Sequence, residues 1–240
     1  MDRRDFLKCS ASAAATVLLS SVAVADELFT KNEDKMKIVV LTGSPRRNGN
    51  TNYLADRFIA GAQEKGHSVF RFDCAAHKVN GCMACNRCGM DGDCVLKDDF
   101  SIVRPHLLEA DMVVFVTPMY YFGFSAQIKS VIDRFYAING RIKGAPKKAA
   151  FLMAYANSAY KDAEAMRVHY STLVDYLGWR DMGAVIAPGV WTAGSIRNTT
   201  YRSLPARKKF VIIKNYQHET NYNSFRIGLP DSSLCGAGTE

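Results

Sequence analysis

The chain has 240 residues, 48% of them hydrophobic and 22% charged, with a formal net charge of +8. This is ordinary globular composition and enough sequence to bury one full core, so we expect a single domain. The positive charge favours anionic ligands, but no Lys/Arg block is interleaved with aromatic residues, which argues against nucleic-acid binding.

An export signal is predicted over residues 1–25. Arg3 and Arg4 precede an apolar segment rich in Ala and Ser, and the sequence AVA at residues 23–25 offers a cleavage site. The pattern resembles a twin-arginine signal, which predicts a protein that is periplasmic or otherwise exported. The segment is too short and too rich in small residues for a membrane span, so no stable span is expected after cleavage. Residues 26–36 are predicted to be a spacer.

Apolar strands alternate with amphipathic helices over residues 37–217, the predicted folded domain, and residues 218–240 are predicted to be an irregular tail. The strands are predicted at 38–41, 67–73, 111–118, 147–156 and 182–188. The helices are predicted at 51–65, 98–110, 125–137, 163–178 and 203–217, the third of them capped by Ser125. This order predicts an α/β fold of three layers, in which a doubly wound, five-stranded parallel sheet lies between helices.

The loop after the first strand, GSPRRNGNT at residues 43–51, has the composition of a phosphate-binding loop. Gly43 and Gly49 permit tight backbone turns, and the start of the following helix offers N–H groups and a positive dipole end. The side chains that could add hydrogen bonds or charge are those of Ser44, Arg46, Asn48, Asn50 and Thr51. The loop is neither G-x-x-x-x-G-K-[ST] nor G-x-G-x-x-G, which argues against ATP hydrolysis and against a dinucleotide fingerprint.

Three aromatic residues occur in the loop after the third predicted strand, within the run Pro118, Met119, Tyr120, Tyr121, Phe122 and Gly123. The loops that follow parallel strands meet at one edge of the sheet, where doubly wound folds bind ligands. An aromatic run beside a phosphate loop suits a flat conjugated ring. One phosphate site and one planar-ring site together predict a mononucleotide ligand such as FMN.

Four of the seven cysteines occur within thirteen residues, in the spacing C-x2-C-x2-C-x5-C. They are Cys82, Cys85, Cys88 and Cys94, and they lie in residues 74–98, a stretch without periodicity that has the length of a functional loop. This spacing can hold an iron–sulfur cluster, a zinc ion or two disulfide bonds. An oxidising compartment favours disulfides, whereas the twin-arginine route can export a protein already folded around its cofactor.

Residues 37–190 resemble the flavodoxin-like NAD(P)H-dependent FMN reductases, and within them the iron–sulfur flavoprotein subgroup. The resemblance rests on three motifs in the expected order, GSPRRNGNT, CMACNRCGMDGDCVLKDDF and TPMYYFGFSAQIKSVIDRFY. It implies that the first loop binds the FMN phosphate and that residues 118–123 contact the isoalloxazine ring. Residues 154–157, after the fourth strand, are implied to line the flavin. The four cysteines are implied to bind a [4Fe–4S] cluster, with zinc and disulfides as the alternatives.

The resemblance also implies an FMN-dependent oxidoreductase. Electrons would pass from NAD(P)H through FMN to a small acceptor such as a quinone, or to the cluster. No acid–base pair is required, so no catalytic side chain is predicted. The alternative is an FMN electron carrier that exchanges electrons with a partner protein, its cysteines in disulfides or bound to zinc. A third possibility is a non-redox module with structural disulfides. The subgroup resemblance further implies a homo-oligomer.

Overall fold

The computed structural model describes residues 35–203 of the chain. Five strands lie parallel in one sheet: β1 (Lys37–Thr42), β2 (Ser68–Asp73), β3 (Met112–Tyr120), β5 (Lys148–Ala154) and β6 (Arg180–Ala187). A short strand, β4 (Gly123–Phe124), pairs antiparallel with the end of β3. The order across the sheet is β2-β1-β3-β5-β6. The predicted five-stranded parallel sheet is confirmed, and β4 is an addition to it.

The helices are α1 (Asn50–Glu64), α2 (Phe100–Glu109), α3 (Ala126–Asp133), α4 (Asn139–Ile142) and α5 (Glu164–Leu177), and short 3-10 turns lie at Arg134–Ile138, Tyr160–Ala163, Ser195–Asn198 and Thr200–Ser203. Three predicted helices begin and end within two residues of α1, α2 and α5. The helix predicted at 125–137 is α3 followed by a 3-10 turn. The signal, the tail and all but the first residue of the helix predicted at 203–217 lie outside the described residues.

The sheet separates two hydrophobic cores, because successive side chains of a strand point to opposite faces. Val114 of β3 packs on one face with Leu54 and Phe58 of α1. Phe115, the next residue of β3, packs on the other face in a cluster that includes residues of α2, α3 and α5, among them Ile128. Helices therefore cover both faces of the sheet, which explains why the central strands are continuously apolar.

Ser125 stands at the N-cap position of α3 but does not cap it, so this prediction is wrong. Its side chain makes no hydrogen bond to the first turn of the helix. The Oγ atom instead donates to the carbonyl oxygen of Gly43 at 2.7 Å, and the backbone N–H of Ser125 donates to the Oγ1 atom of Thr117 at 3.1 Å. The residue thereby joins the start of α3 to the ends of β1 and β3.

Between residues 35 and 203, none of the helices combines the length and the apolar character needed to cross a membrane.

Candidate cofactor-binding site

A cleft of about 840 Å³ opens at the edge of the sheet where β1, β3, β5 and β6 end. Its volume falls in the range of small-molecule sites. Its wall consists of Ser44, Arg46, Gly49, Asn50, Thr51, Pro118, Met119, Tyr120, Tyr121, Phe122, Ala154, Tyr155, Ala156, Asn157, Val190, Trp191, Thr192 and Ala193. The structure thus brings the two predicted cofactor loops together. Only Asn48 and Gly123 of the predicted cofactor residues lie outside this wall.

The loop after β1 turns tightly around one carbonyl group. The N–H of Gly49 donates to the carbonyl oxygen of Arg46 at 2.9 Å, and the side-chain amide of Asn52 donates to the same oxygen at 2.8 Å. A Cβ atom at Gly49 would lie 2.9 Å from that oxygen, closer than real Cβ atoms approach, so glycine is required there. Sequence reasoning missed Asn52, because an amide in the first turn of a helix has no pattern that distinguishes it.

Helix α1 begins in this loop without a capping side chain and without an acidic residue in its first turn. The first N–H groups of a helix have no partner within the helix, and the aligned peptide dipoles give that end a partial positive charge. Gly49, Asn50 and Thr51 line the cleft at this helix end, and the exposed Arg46 lies beside them. The arrangement is suited to an anion such as a phosphate group.

The amides of Asn48 and Asn50 do not serve the cleft in the way the composition suggested. Asn48 is exposed and lies outside the wall. The Nδ2 atom of Asn50 donates to the carbonyl oxygens of Val190 at 3.0 Å and Thr192 at 2.9 Å, and its Oδ1 atom accepts from the N–H of Ile196 at 3.2 Å. Only the backbone of Asn50 is therefore available to a ligand. Its side chain fixes the loop after β6.

The aromatic loop is a two-residue turn with strained backbone. Tyr120 pairs with Gly123, and the two residues between them, Tyr121 and Phe122, have positive φ angles of 45° and 62°. Turns of this kind normally carry Asn, Asp or Gly, because the left-handed region is unfavourable for residues with bulky side chains. The side chains of Tyr121 and Phe122 are nonetheless exposed. Strain that positions exposed rings at the mouth of a cleft is typical of a ligand-binding loop.

The loops after β5 and β6 form the remaining wall and are hydrogen-bonded to each other. The N–H of Tyr155 donates to the carbonyl of Ala187 at 3.0 Å, and the N–H of Val190 donates to the carbonyl of Tyr155 at 2.9 Å. Residues 154–157, which the resemblance implies to line the flavin, form part of the cleft wall. Sequence reasoning missed residues 190–193, including Trp191, whose side chain is 77% exposed. The available signal was a tryptophan two residues after the Pro188-Gly189 pair, which follows the fifth parallel strand.

The four cysteines line a second, small cavity. Cys82, Cys85, Cys88 and Cys94 all contribute to it, and so does Arg134. Each of these cysteines has a free thiol rather than a disulfide bond. The structure therefore places the four predicted ligands on the wall of one cavity.

The backbone between the cysteines is wrapped around this cavity. Ala84, Asn86 and Met90 have positive φ angles of 55°, 54° and 67°. The N–H of Ala84 donates to the Sγ atom of Cys82 at 3.4 Å. Non-glycine residues with left-handed backbone angles are uncommon, and they cluster at functional sites. N–H donors to the sulfur atoms are among the features that tune iron–sulfur clusters.

The chemistry of the donor set, four thiols on the wall of one cavity, is that of an iron–sulfur cluster or of a zinc ion. In the part of the chain that the structure describes, no three His, Cys, Asp or Glu side chains are close enough to bind one metal ion. Structural zinc needs four donors, with sulfur about 2.3 Å from the metal. A [4Fe–4S] cluster uses four cysteine thiolates, each bound to a different iron atom.

A buried ion pair lies beside the cysteine cavity. The side chains of Arg134 and Asp98 are 1% and 5% exposed, and the Nη1 and Oδ2 atoms are 2.8 Å apart. Burial alone would raise the pKa of Asp98, but hydrogen bonds from Asn80, Arg134 and Phe100 outweigh it and lower this pKa below its ordinary value. The Asp98 carboxyl group is therefore ionised at neutral pH.

Cys74 and His77 lie near the cysteine segment in sequence but do not line its cavity. The Cys74 side chain is buried in the hydrophobic core, and burial raises the pKa of its thiol to about 12. His77 stacks on Phe72 with ring centroids 4.3 Å apart. Both residues therefore serve packing. Cys235 lies outside the described residues.

Two segments of the chain, the predicted domain and the predicted export signal, match known families. Residues 36–195 match the family described as NADPH-dependent FMN reductase. Residues 1–20 match the twin-arginine translocation signal, so the prediction of export by that pathway is confirmed. An iron–sulfur flavoprotein of Archaeoglobus fulgidus is 32% identical over 123 residues, which are 50% of this chain and 55% of that protein. An iron–sulfur flavoprotein of Methanocaldococcus jannaschii is 34% identical over 99 residues, 41% of this chain and 51% of that protein. The chain spans about half the length of these curated relatives.

Solved structures share the architecture. An NAD(P)H:quinone oxidoreductase from Methanothermobacter marburgensis superposes with a TM-score of 0.54 at 18% identity, covering 68% of this chain and 91% of that one. The Trp repressor binding protein from Bacillus subtilis gives a TM-score of 0.50 at 20% identity, covering 67% of this chain and 91% of that one. At these identities the likeness concerns the fold alone, which is flavodoxin-like, as predicted.

Proposed function

The chain belongs to the NADPH-dependent FMN reductase family, and we propose that this exported, flavin-dependent oxidoreductase passes electrons from NAD(P)H through FMN to a small acceptor or to a [4Fe–4S] cluster. One observation carries the proposal. The uncapped start of α1 and the strained aromatic turn of Tyr121 and Phe122 line the same cleft. A mononucleotide with an anionic end and a planar end matches both parts of that wall.

The residues that would hold FMN divide into two groups. The N–H groups at the start of α1, with Arg46 and the hydroxyls of Ser44 and Thr51, would bind the phosphate. The aromatic turn and Trp191 would contact the isoalloxazine ring. FMN, when bound, supplies the two-electron chemistry, and the chain binds it, orients it and determines what reaches it.

The rim of the cleft supports exchange with small molecules. Tyr121, Phe122 and Trp191 line the cleft and are 101%, 53% and 77% exposed. A flavin held against these rings would remain accessible from solvent. NAD(P)H is the donor that the family assignment supports. For the oxidation of the reduced flavin, we propose a quinone-like acceptor.

The cysteine cavity supports a second electron acceptor within the same chain. Helix α3 connects the two sites, because Ser125 at its start contacts the loop after β1 and Arg134 beyond its end lines the cysteine cavity. At 1.5 Å per residue, a helix of this length extends about 12 Å. The two ends of α3, one beside the loop after β1 and the other at the cysteine cavity, are therefore about 12 Å apart.

The alternative is an FMN electron carrier whose redox partner is a protein. The net charge of +8 favours association with an acidic partner. The exposed aromatic rim of the cleft is suited to contact with a protein surface, either that of a partner protein or that of a second copy of this chain. Steady-state turnover with small molecules separates the two proposals, because a carrier would show none.

Anaerobic stopped-flow mixing tests the oxidoreductase proposal. The FMN-loaded protein is mixed with NADH or NADPH, and the flavin absorbance is followed. We expect one of the two donors to bleach the flavin and a quinone added afterwards to restore its absorbance. A flavin that dithionite bleaches but neither pyridine nucleotide reduces would contradict the reductase and favour the carrier.

A further inference from the structure

The cysteine cavity contains a buried arginine with an unused hydrogen-bond donor. The guanidinium of Arg134 donates from Nη1 to Asp98 at 2.8 Å and to the carbonyl of Asn80 at 3.2 Å. It donates from Nη2 to the carbonyl of Leu96 at 3.3 Å. Among the described residues its Nε atom has no hydrogen-bond partner, although it is fully buried.

A buried N–H group without an acceptor is costly, and native proteins contain few of them. Both terminal nitrogens of Arg134, Nη1 and Nη2, have hydrogen-bond partners, so the unpaired Nε–H does not result from loose packing. The guanidinium also lies over the ring of Phe100, 4.8 Å from its centroid. These contacts on several sides fix the side chain beside the four thiols. The missing acceptor is therefore expected to belong to whatever the cavity binds.

The ion pair is oriented with respect to the cavity. Arg134 lines it together with the four cysteines, whereas Asp98 does not. The positive member of the pair is thus the nearer one to the thiols. The Arg134 side chain is 1% exposed, so solvent screens its charge less than that of a surface arginine, and this charge favours negative charge in the cavity.

We propose that Arg134 is the charge partner of the iron–sulfur cluster bound by Cys82, Cys85, Cys88 and Cys94, that its Nε–H donates to a sulfide of the bound cluster, and that it sets the reduction potential of the cluster. The inference rests on the cluster-binding part of the proposed function. Reduction adds one electron to a group that thiolates already make anionic. A fixed positive charge stabilises the reduced form more than the oxidised form, so it raises the potential.

Two variants make the charge argument testable with opposite signs. Asp98→Asn leaves Arg134 without its counter-charge and should raise the cluster potential. The double variant Arg134→Gln/Asp98→Asn removes the nearer positive charge without leaving a buried carboxylate unpaired, and should lower the potential below that of Asp98→Asn and of the wild type. Arg167→Gln, which removes an arginine from the surface pair with Glu164 on α5, is the control.

The experiment is an anaerobic redox titration of the purified holoprotein, followed by electron paramagnetic resonance, with iron, sulfide and FMN measured on every sample. We expect each shift to correspond to at least a tenfold change in the equilibrium constant for reduction, ~59 mV for a one-electron couple. The control should match the wild type. A merely structural role for Arg134 would not produce shifts of opposite sign.

Iron-loaded variants with unchanged potentials would overturn the inference. If the double variant does not fold, an iron-loaded Asp98→Asn protein with the wild-type potential is sufficient to overturn it. Wild-type protein without iron would also overturn it, but would leave the oxidoreductase proposal intact provided that NADH or NADPH still bleaches the flavin. If neither NADH nor NADPH reduces the flavin but the cluster potentials shift as expected, the oxidoreductase proposal is contradicted and the inference about Arg134 stands.

Discussion

The side-chain amide of Asn50, in the first turn of α1, donates a hydrogen bond of 3.0 Å to the carbonyl oxygen of Val190, which follows β6. The two residues are 140 positions apart in the sequence. This contact joins the phosphate loop to the wall that contains Trp191. The shape of the cleft therefore depends on a residue whose side chain does not face the ligand.

Asn50→Ala should destabilise the protein and weaken FMN binding. The substitution leaves the carbonyls of Val190 and Thr192 and the N–H of Ile196 without their side-chain partner. We expect a loss of about 1–3 kcal/mol in the free energy of unfolding, measured with urea, and a higher Kd for FMN. Asn48→Ala is the matched control, since Asn48 is exposed, and it should change stability by less than about 0.5 kcal/mol. The reverse ranking of the two variants would contradict the assignment.

Gly43→Ala should disrupt the junction between the loop after β1 and α3. A Cβ atom there would lie 2.4 Å from the Oγ atom of Ser125 and 2.9 Å from Cγ2 of Ile128. Overpacking of this kind costs about 1–3 kcal/mol, which a thermal melt detects as a lower Tm.

The double variant Gly43→Ala/Ser125→Ala removes the closest of these contacts, so its destabilisation should be smaller than the sum of the two single effects. Gly81→Ala is the control, because its Cβ would meet only Asp133 Oδ2 at 3.6 Å. A Gly43→Ala protein with the wild-type Tm would contradict the prediction, because Ser125 and Ile128 would then have shifted at no cost to accommodate the methyl group.

FMN should quench the fluorescence of Trp191. The chain has only two tryptophans, and they differ sharply, because Trp179 is 5% exposed in the core and Trp191 is 77% exposed in the cleft wall. Trp191→Phe should reduce the quenching but retain most of the affinity. Trp191→Ala should raise the Kd for FMN by up to about tenfold, the loss of one aromatic contact. Quenching that is undiminished in Trp191→Phe would contradict contact between Trp191 and the flavin.

His169 should make the protein less stable in weak acid. Burial lowers the pKa of His169 below 6.5, the nearby charge of Lys129 lowers it further, and Asp133 opposes them. Between the folded pKa and 6.5 the unfolded chain binds more protons than the folded one, so stability falls as pH decreases through this window and then levels off.

The test is the urea midpoint measured against pH. His169→Gln should flatten the dependence below pH 6.5, the ordinary pKa of histidine. A His169→Gln protein as acid-sensitive as the wild type would contradict the assignment.

The parallel sheet and the position of the cleft could be predicted from the sequence, because strands buried on both faces must be continuously apolar. Loops that follow such strands meet at one edge regardless of their separation along the chain. The role of Asn50 could not be predicted in this way. An amide in a phosphate loop can bind either a ligand or a neighbouring loop, and only the docking of the loop after β6 decides between them.

The burial of Arg134 could not be predicted from the sequence either. Its local sequence, an arginine that follows Asp133 at the end of an amphipathic helix, is also typical of a solvent-exposed ion pair. Residue Arg134 is buried because the cysteine segment packs over the end of α3, as shown by the hydrogen bonds from Arg134 to the carbonyls of Asn80 and Leu96. Such a contact depends on the path of a long irregular loop, which hydrophobic periodicity does not determine.

The most direct test of the central claim is the absorbance spectrum of protein purified anaerobically, with FMN and iron measured on the same sample. We predict flavin bands with FMN equimolar to the chain, a broad absorbance shoulder from the cluster, and about four iron atoms per chain. Flavin without iron would contradict the cluster and leave an exported FMN oxidoreductase. Protein that contains no flavin and binds none when FMN is added would contradict the account as a whole.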